Sequence, residues 1–128
     1  MNTLLKPEQN HTETKEIILS KTSKSWNGAT LPKYPVGNPE ISILKYIIPR
    51  KTKLDLHKHP IISAGIIIKG ELTIINENND RLHLKSGESF VELVDTWHYG
   101  HNESNHPVEI IVFYAGIKGQ SITTKKDA

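Results

Sequence analysis

His57-Lys58-His59, with His98 some forty residues further on, combines residue type and spacing in a way that suits metal chemistry. In a β-strand the side chains alternate faces, so residues two apart lie on one side, roughly 6.6 Å apart along the strand, and His57 and His59 point the same way. Neutral imidazole is the commonest protein ligand for zinc, iron, nickel and copper. Three imidazoles can take one face of an octahedron or three corners of a tetrahedron. The positions left open suit Lewis-acid or oxygen chemistry, whereas a structural zinc site is closed by four protein ligands. The competing reading of the pair is two exposed or hydrogen-bonded strand histidines.

Other side chains could share the chemistry. Glu92 is a carboxylate inside the apolar run Phe90-Val91-Glu92-Leu93-Val94. It is a candidate fourth ligand or general base, or simply a salt-bridge partner. His101 follows His98 by three residues and is a candidate for the mouth of a pocket, against the reading of a solvated loop histidine. Tyr46 and Tyr99 can offer phenolic hydrogen bonds to a ligand or serve as core or interface aromatics. His83, between Leu82 and Leu84, alternates away from them and is expected at the surface, as are His106 and His11. Trp97 alternates away from His98 and is expected to pack.

The elements that position these residues are short. With 128 residues the chain fits one domain, large enough for a hydrophobic core without disulfides, and it contains no cysteine. Thiolate metal sites and cysteine nucleophiles are therefore excluded. Sixteen basic and 14 acidic side chains nearly cancel, leaving no footprint for nucleic acid or an acidic membrane. No stretch approaches the ~20 apolar residues of a membrane span, and the first residues lack a leader's apolar region. The expectation is a soluble cytoplasmic protein, from which a leader could have been removed.

Residues 1–14 are polar and read as a flexible arm before a domain covering 15–128. Lys15–Ser20 is short, apolar and β-branched, the signal of a first strand. From Trp26 to Pro39 the density of Gly and Pro excludes a helix and predicts a long ordered loop anchored by Trp26, Leu31 and Tyr34, either a lid or outer packing. Strands are then predicted at Ile41–Ile48, Leu54–His59, Ile62–Lys69, Glu71–Asn76, Arg81–Leu84, Ser89–Val94 and Val108–Ala115. Asn76–Asp80 has the composition of a hairpin loop and Lys85–Glu88 of a tight turn. Several short strands without a helix predict a closed or double-sheet all-β fold.

The histidines and the glycines around them resemble the cupin superfamily over roughly residues 41–116. The first family motif reads G(x)5HxH(x)3-4E(x)6G. Here Lys51 stands at the first glycine, His57 and His59 at the histidines, Ser63 at the glutamate and Gly70 at the closing glycine. The second reads G(x)5PxG(x)2H(x)3N. Gly87, His98 and Asn102 match in register, while Leu93 and Asp95 replace the proline and the glycine. Lys51 and Asp95 stand where glycine usually permits positive φ, at a cost of about 1 kcal/mol for Lys, so those turns are expected to differ in detail.

The resemblance implies a single cupin barrel, jelly-roll-like, with His57, His59 and His98 as metal ligands and, often, a homodimer formed through barrel edges. It also implies that Ser63 has removed the family's one anionic ligand. Its place would then be free for water or a substrate oxygen in a pocket to which Tyr46, Glu92 and His101 are further candidates. A divalent ion held by neutral ligands keeps its full charge and favours anionic chelators. Cupins with three-histidine iron include dioxygenases, which puts Fe(II) first and leaves Zn, Ni and Mn open. A ligand-binding or sensor module, a Lewis-acid isomerase and a barrel that has lost its metal are the alternatives.

Overall fold

The computed structural model describes residues 12–126. They form ten strands: β1 (Pro39–Ile48), β2 (Thr52–Lys53), β3 (His57–Lys58), β4 (Ile62–Lys69), β5 (Glu71–Asn76), β6 (Arg81–Lys85), β7 (Ser89–Val91), β8 (His98–Asn102), β9 (Val108–Ile117) and β10 (Thr124–Lys125). No α-helix forms among the described residues, as the sequence predicts. A four-stranded sheet in the order β1-β9-β4-β7 faces a six-stranded one in the order β10-β3-β8-β5-β6, with β2 also paired to β8. All strand pairs among the described residues are antiparallel.

Period-two alternation explains the sandwich. In β9 Val108, Ile110, Val112 and Tyr114 are buried while their neighbours are less so, and in β4 Ser63, Gly65 and Ile67 take the inner face. Facing them from the other sheet are Leu72, Ile74 and Leu84, and with Ile48, Ile61 and Phe90 these make one core. Gly70 makes the sharp link between β4 and β5 at φ 88°, and a Cβ there would come within 2.7 Å of the Pro107 carbonyl oxygen. Asn102, fully buried, donates from Nδ2 to the carbonyls of Pro49 (3.0 Å) and His106 (2.8 Å), tying the segment that leaves β1 to the one that enters β9 at the same end of that ladder.

Several expectations need correction. Lys15–Ser20 forms no strand, and Ile17, Ile18 and Leu19 are exposed. The nearby edge strand β7 is only three residues long, and its Val91 carbonyl is taken by the Trp26 amide at 3.0 Å. Leu54–His59 is not one strand, because the chain leaves the ladder over 54–56 between β2 and β3. The turns at Lys51 and Asp95 keep positive φ, at 51° and 53°. Local bonds offset the strain: Lys51 N–H and Nζ donate to Ser104 and Glu103 carbonyls (3.1 and 2.6 Å), and Asp95 N–H donates to the His59 carbonyl at 2.6 Å. In the 26–39 loop Trp26 packs on the core and Leu31 is half-buried, but Tyr34 is exposed and anchors nothing. His11 and most of the 1–14 arm lie outside the described residues.

Candidate metal centre

The antiparallel register places His57 of β3 directly opposite His98 of β8, and His59 follows just past the end of β3. The three rings converge, with centroids 4.5 Å apart for His57 and His98, 5.0 Å for His57 and His59, and 5.2 Å for His59 and His98. One ring nitrogen from each lies within 4.8 Å of the others.

Each ring is oriented by a backbone carbonyl. Nδ1 of His57 meets Asp55 O at 2.8 Å, Nδ1 of His59 meets Ile122 O at 3.0 Å, and Nδ1 of His98 meets Thr96 O at 2.7 Å. A carbonyl oxygen only accepts, so each Nδ1 carries the proton and each Nε2 keeps its lone pair. This is the arrangement that metal-binding imidazoles use. His98 Nε2 is buried without a hydrogen-bond partner, the kind of group a folded chain leaves unpaired only for a reason. Burial, with smaller contributions from the neighbouring histidines, lowers His59 to about 4; burial also lowers His57 and His98. All three are therefore neutral near pH 7 and able to donate electron pairs, and the residues fit a divalent transition metal.

They open onto a cavity of about 390 Å³ inside the barrel, a size suited to a small molecule. Ile48, Leu72, Ile74, Phe90, Ile110 and Val112 make most of the wall apolar. Ser63, Glu92, Tyr46 and Tyr114 supply polar groups, and the exposed residues Asp55, Thr123 and Lys125 stand at the rim. The Tyr46 and Tyr114 hydroxyls share a hydrogen bond of 2.8 Å, and burial pushes the Tyr114 phenol well up, so it stays protonated. Glu92 is buried, which raises its pKa against the opposing N–H bonds from Leu93 and Trp26.

The sequence-selected residues thus separate. His57, His59, His98, Ser63, Tyr46 and Glu92 meet at the cavity. His101 does not, because in β8 the inward positions are His98, Gly100 and Asn102, which leaves Tyr99 and His101 on the other face. Tyr99 there carries Lys53 Nζ 4.7 Å from its ring centre, and Trp97 likewise carries Lys58 Nζ at 4.8 Å. His83 is about half exposed and bonds Glu71 and Thr73, and His106 is exposed. Two contributors were not predicted. Tyr114 was legible, since it continues the inward alternation of Val108, Ile110 and Val112. The segment Ile122–Lys125, which orients His59 and pairs β10 with β3, carries no sequence signal of that task.

The fold and the site together define a two-sheet antiparallel β-barrel in which three inward histidines could hold a metal ion. The Cupin domain family model matches residues 45–114, more than half of the chain, and the protein belongs to that family. No curated protein matches it. Solved structures share the fold. A DMSP lyase from Ruegeria pomeroyi is 15% identical with a TM-score of 0.59, over 77% of this chain and 46% of that one. An oxalate oxidase in complex with the substrate analogue glycolate is 19% identical with a TM-score of 0.56, over 66% and 45%. An oxalate decarboxylase from Lactobacillus farciminis is 15% identical with a TM-score of 0.55, over 70% and 27%. The chain therefore spans less than half the length of these three. No helix among the described residues is long and apolar enough to cross a membrane.

Proposed function

We propose that this cupin is a small-molecule metalloenzyme of dioxygenase type, with His57, His59 and His98 holding Fe(II). The observation that carries this reading is the convergence of three neutral imidazoles, each fixed through Nδ1, on the wall of a mostly apolar cavity. A ferrous ion so held would supply open positions at which an anionic chelator and dioxygen can meet. The chain's own contributions are binding and orientation. The apolar wall takes the body of the substrate and excludes water. Lys125 at the rim favours an anionic group on entry, and the Tyr46–Tyr114 hydroxyl pair can turn a proton toward a bound oxygen atom.

The test is metal content by elemental analysis of protein purified without a chelating affinity step, followed by oxygen uptake with thiols and diketones. About one equivalent of iron and substrate-dependent uptake are expected. Bound metal with no uptake from any anionic chelator would overturn the dioxygenase reading in favour of Lewis-acid chemistry or binding, and no metal after reconstitution would overturn both.

A homodimer belongs to the same proposal. Ile41, Ile43 and Ile47 alternate outward on the edge strand β1, with Phe113 of β9 opposite Ile43, and all four are exposed. An apolar sheet face of this kind is commonly covered by a second copy. Light scattering should give twice the chain mass for the wild type and the chain mass for Ile43→Lys.

A further inference from the structure

Ser63 and Glu92 are cross-strand neighbours. The β4–β7 ladder pairs Ala64 with Val91, Gly65 with Phe90 and Ile66 with Ser89, and it continues one step further, with the Glu92 amide donating to the Ser63 carbonyl at 2.9 Å. Both side chains are buried and line the cavity, as directly opposed residues on one face should. The Ser63 hydroxyl is buried without a partner. The Glu92 carboxyl group lines the same cavity, and its Oε2 stands 3.4 Å from His98 Nε2.

The carboxyl group is held in a defined pose. Oε1 accepts from Trp26 Nε1 at 2.9 Å and from the Leu93 amide at 2.9 Å. The backbone beneath is clamped as well, by Ser25 Oγ donating to the Glu92 carbonyl at 3.0 Å and the Trp26 amide donating to Val91 O at 3.0 Å. With both N–H donors on Oε1, the second oxygen is left facing the histidines. His98 Nε2 and Glu92 Oε2 are then two electron-pair donors face to face, an arrangement that needs either a shared hydrogen or a shared cation between them.

We propose that Glu92 is the fourth protein ligand of the metal centre, a carboxylate supplied from β7's end of the cross-strand pair in place of one at residue 63. This rests on the three-histidine reading above and deepens it. The site then has one anionic ligand, so the bound ion carries less net charge than three imidazoles alone would leave. Trp26 and the Leu93 amide are positioning groups that aim the carboxylate, which gives the 26–39 loop a task although it does not cover the cavity.

The experiment uses Co(II) as the probe with four full-length proteins: wild type, Glu92→Gln, Trp26→Phe and the exchange Ser63→Glu with Glu92→Ser. Calorimetry reads affinity and visible absorption reads the ligand field. Glu92→Gln keeps the acceptor for Trp26 and Leu93, so it is expected to fold, to bind Co(II) at least about ten-fold more weakly and to show a shifted visible band. Trp26→Phe should weaken binding about ten-fold, in the range found for groups that orient ligands. The exchange should recover affinity and band position towards wild type, which a merely structural Glu92 would not allow. If Glu92→Gln binds with unchanged affinity and an unchanged spectrum, Glu92 is not a ligand and the three-histidine site stands. If the wild type binds no Co(II), the metal-site reading itself fails, and this proposal with it.

Discussion

The two sheets are built on different scales. In the four-stranded sheet β1 and β9 pair over ten consecutive residues, and β4 adds a second long ladder interrupted by one irregularity between Ile67 and Lys69. In the six-stranded sheet β2, β3 and β10 are two residues long, and the histidines sit among them. The carbonyls that orient the three imidazoles, from Asp55, Thr96 and Ile122, all lie outside strands. A carbonyl committed to a ladder has a neighbour already, whereas one outside it is free to accept from a side chain. Regular pairing therefore carries the fold, and its interruption is what gives the site its orienting groups.

The sharpest break between the two regions is expected from His98→Ala. Metal affinity should fall by more than about 100-fold, while the metal-free protein loses no more than about 1 kcal/mol, because an unpaired buried nitrogen leaves along with the packing. Titration calorimetry and denaturant unfolding report the two effects separately. Ile67→Ala, in the long-strand sheet, should do the reverse. It empties a fully buried core position and should cost about 2–5 kcal/mol of stability, with metal affinity within about two-fold of wild type. A large loss of affinity in this variant would mean that the two regions are not separable.

Acid should act on the histidine side. His59 is lowered by burial to about 4 from 6.5, so between those values the unfolded chain takes up a proton that the folded chain refuses. Stability of the metal-free protein should therefore fall as pH drops from 6.5 towards 4, by on the order of 3 kcal/mol for His59 alone, and level off below. His57 and His98, also lowered, add to the loss. Glu92, raised by burial, works the other way, because its folded state holds a proton the unfolded chain has released above 4.5. Unfolding midpoints measured across this range check the sign; a stability that rises on acidification would contradict it. The smallest effect is expected at Glu71, whose 2.8 Å contact with His83 has both side chains about half exposed on the six-stranded sheet. Glu71→Ala should leave the unfolding midpoint and metal affinity unchanged, since exposed pairs of this kind contribute little.

Much of this contrast was legible in the chain. Ile62–Lys69 and Glu71–Asn76 were readable as strands to the residue, because a short run rich in β-branched apolar residues between turn signals is a local pattern. The two-residue strands and β8 were not. Nothing in His98-Tyr99-Gly100-His101-Asn102 has the composition of a strand, and β8 is held in place by β5 on one side and by β2 and β3 on the other. Likewise His101 follows His98 closely enough to suggest a shared pocket, until strand alternation turns it to the other face.

By itself, then, the amino-acid sequence determined the all-β class through residue type and spacing within short stretches, and its resemblance to two family motifs pointed to the family and to the three histidines, which the β3–β8 register then brings together. Only the tertiary structure decided what surrounds them. The cross-strand partnership of Ser63 with Glu92, the aim that Trp26 gives to that carboxyl group, and the return of Ile122 to orient His59 join residues 29, 66 and 63 positions apart. Such contacts follow from ladder register and chain return, which no local pattern encodes.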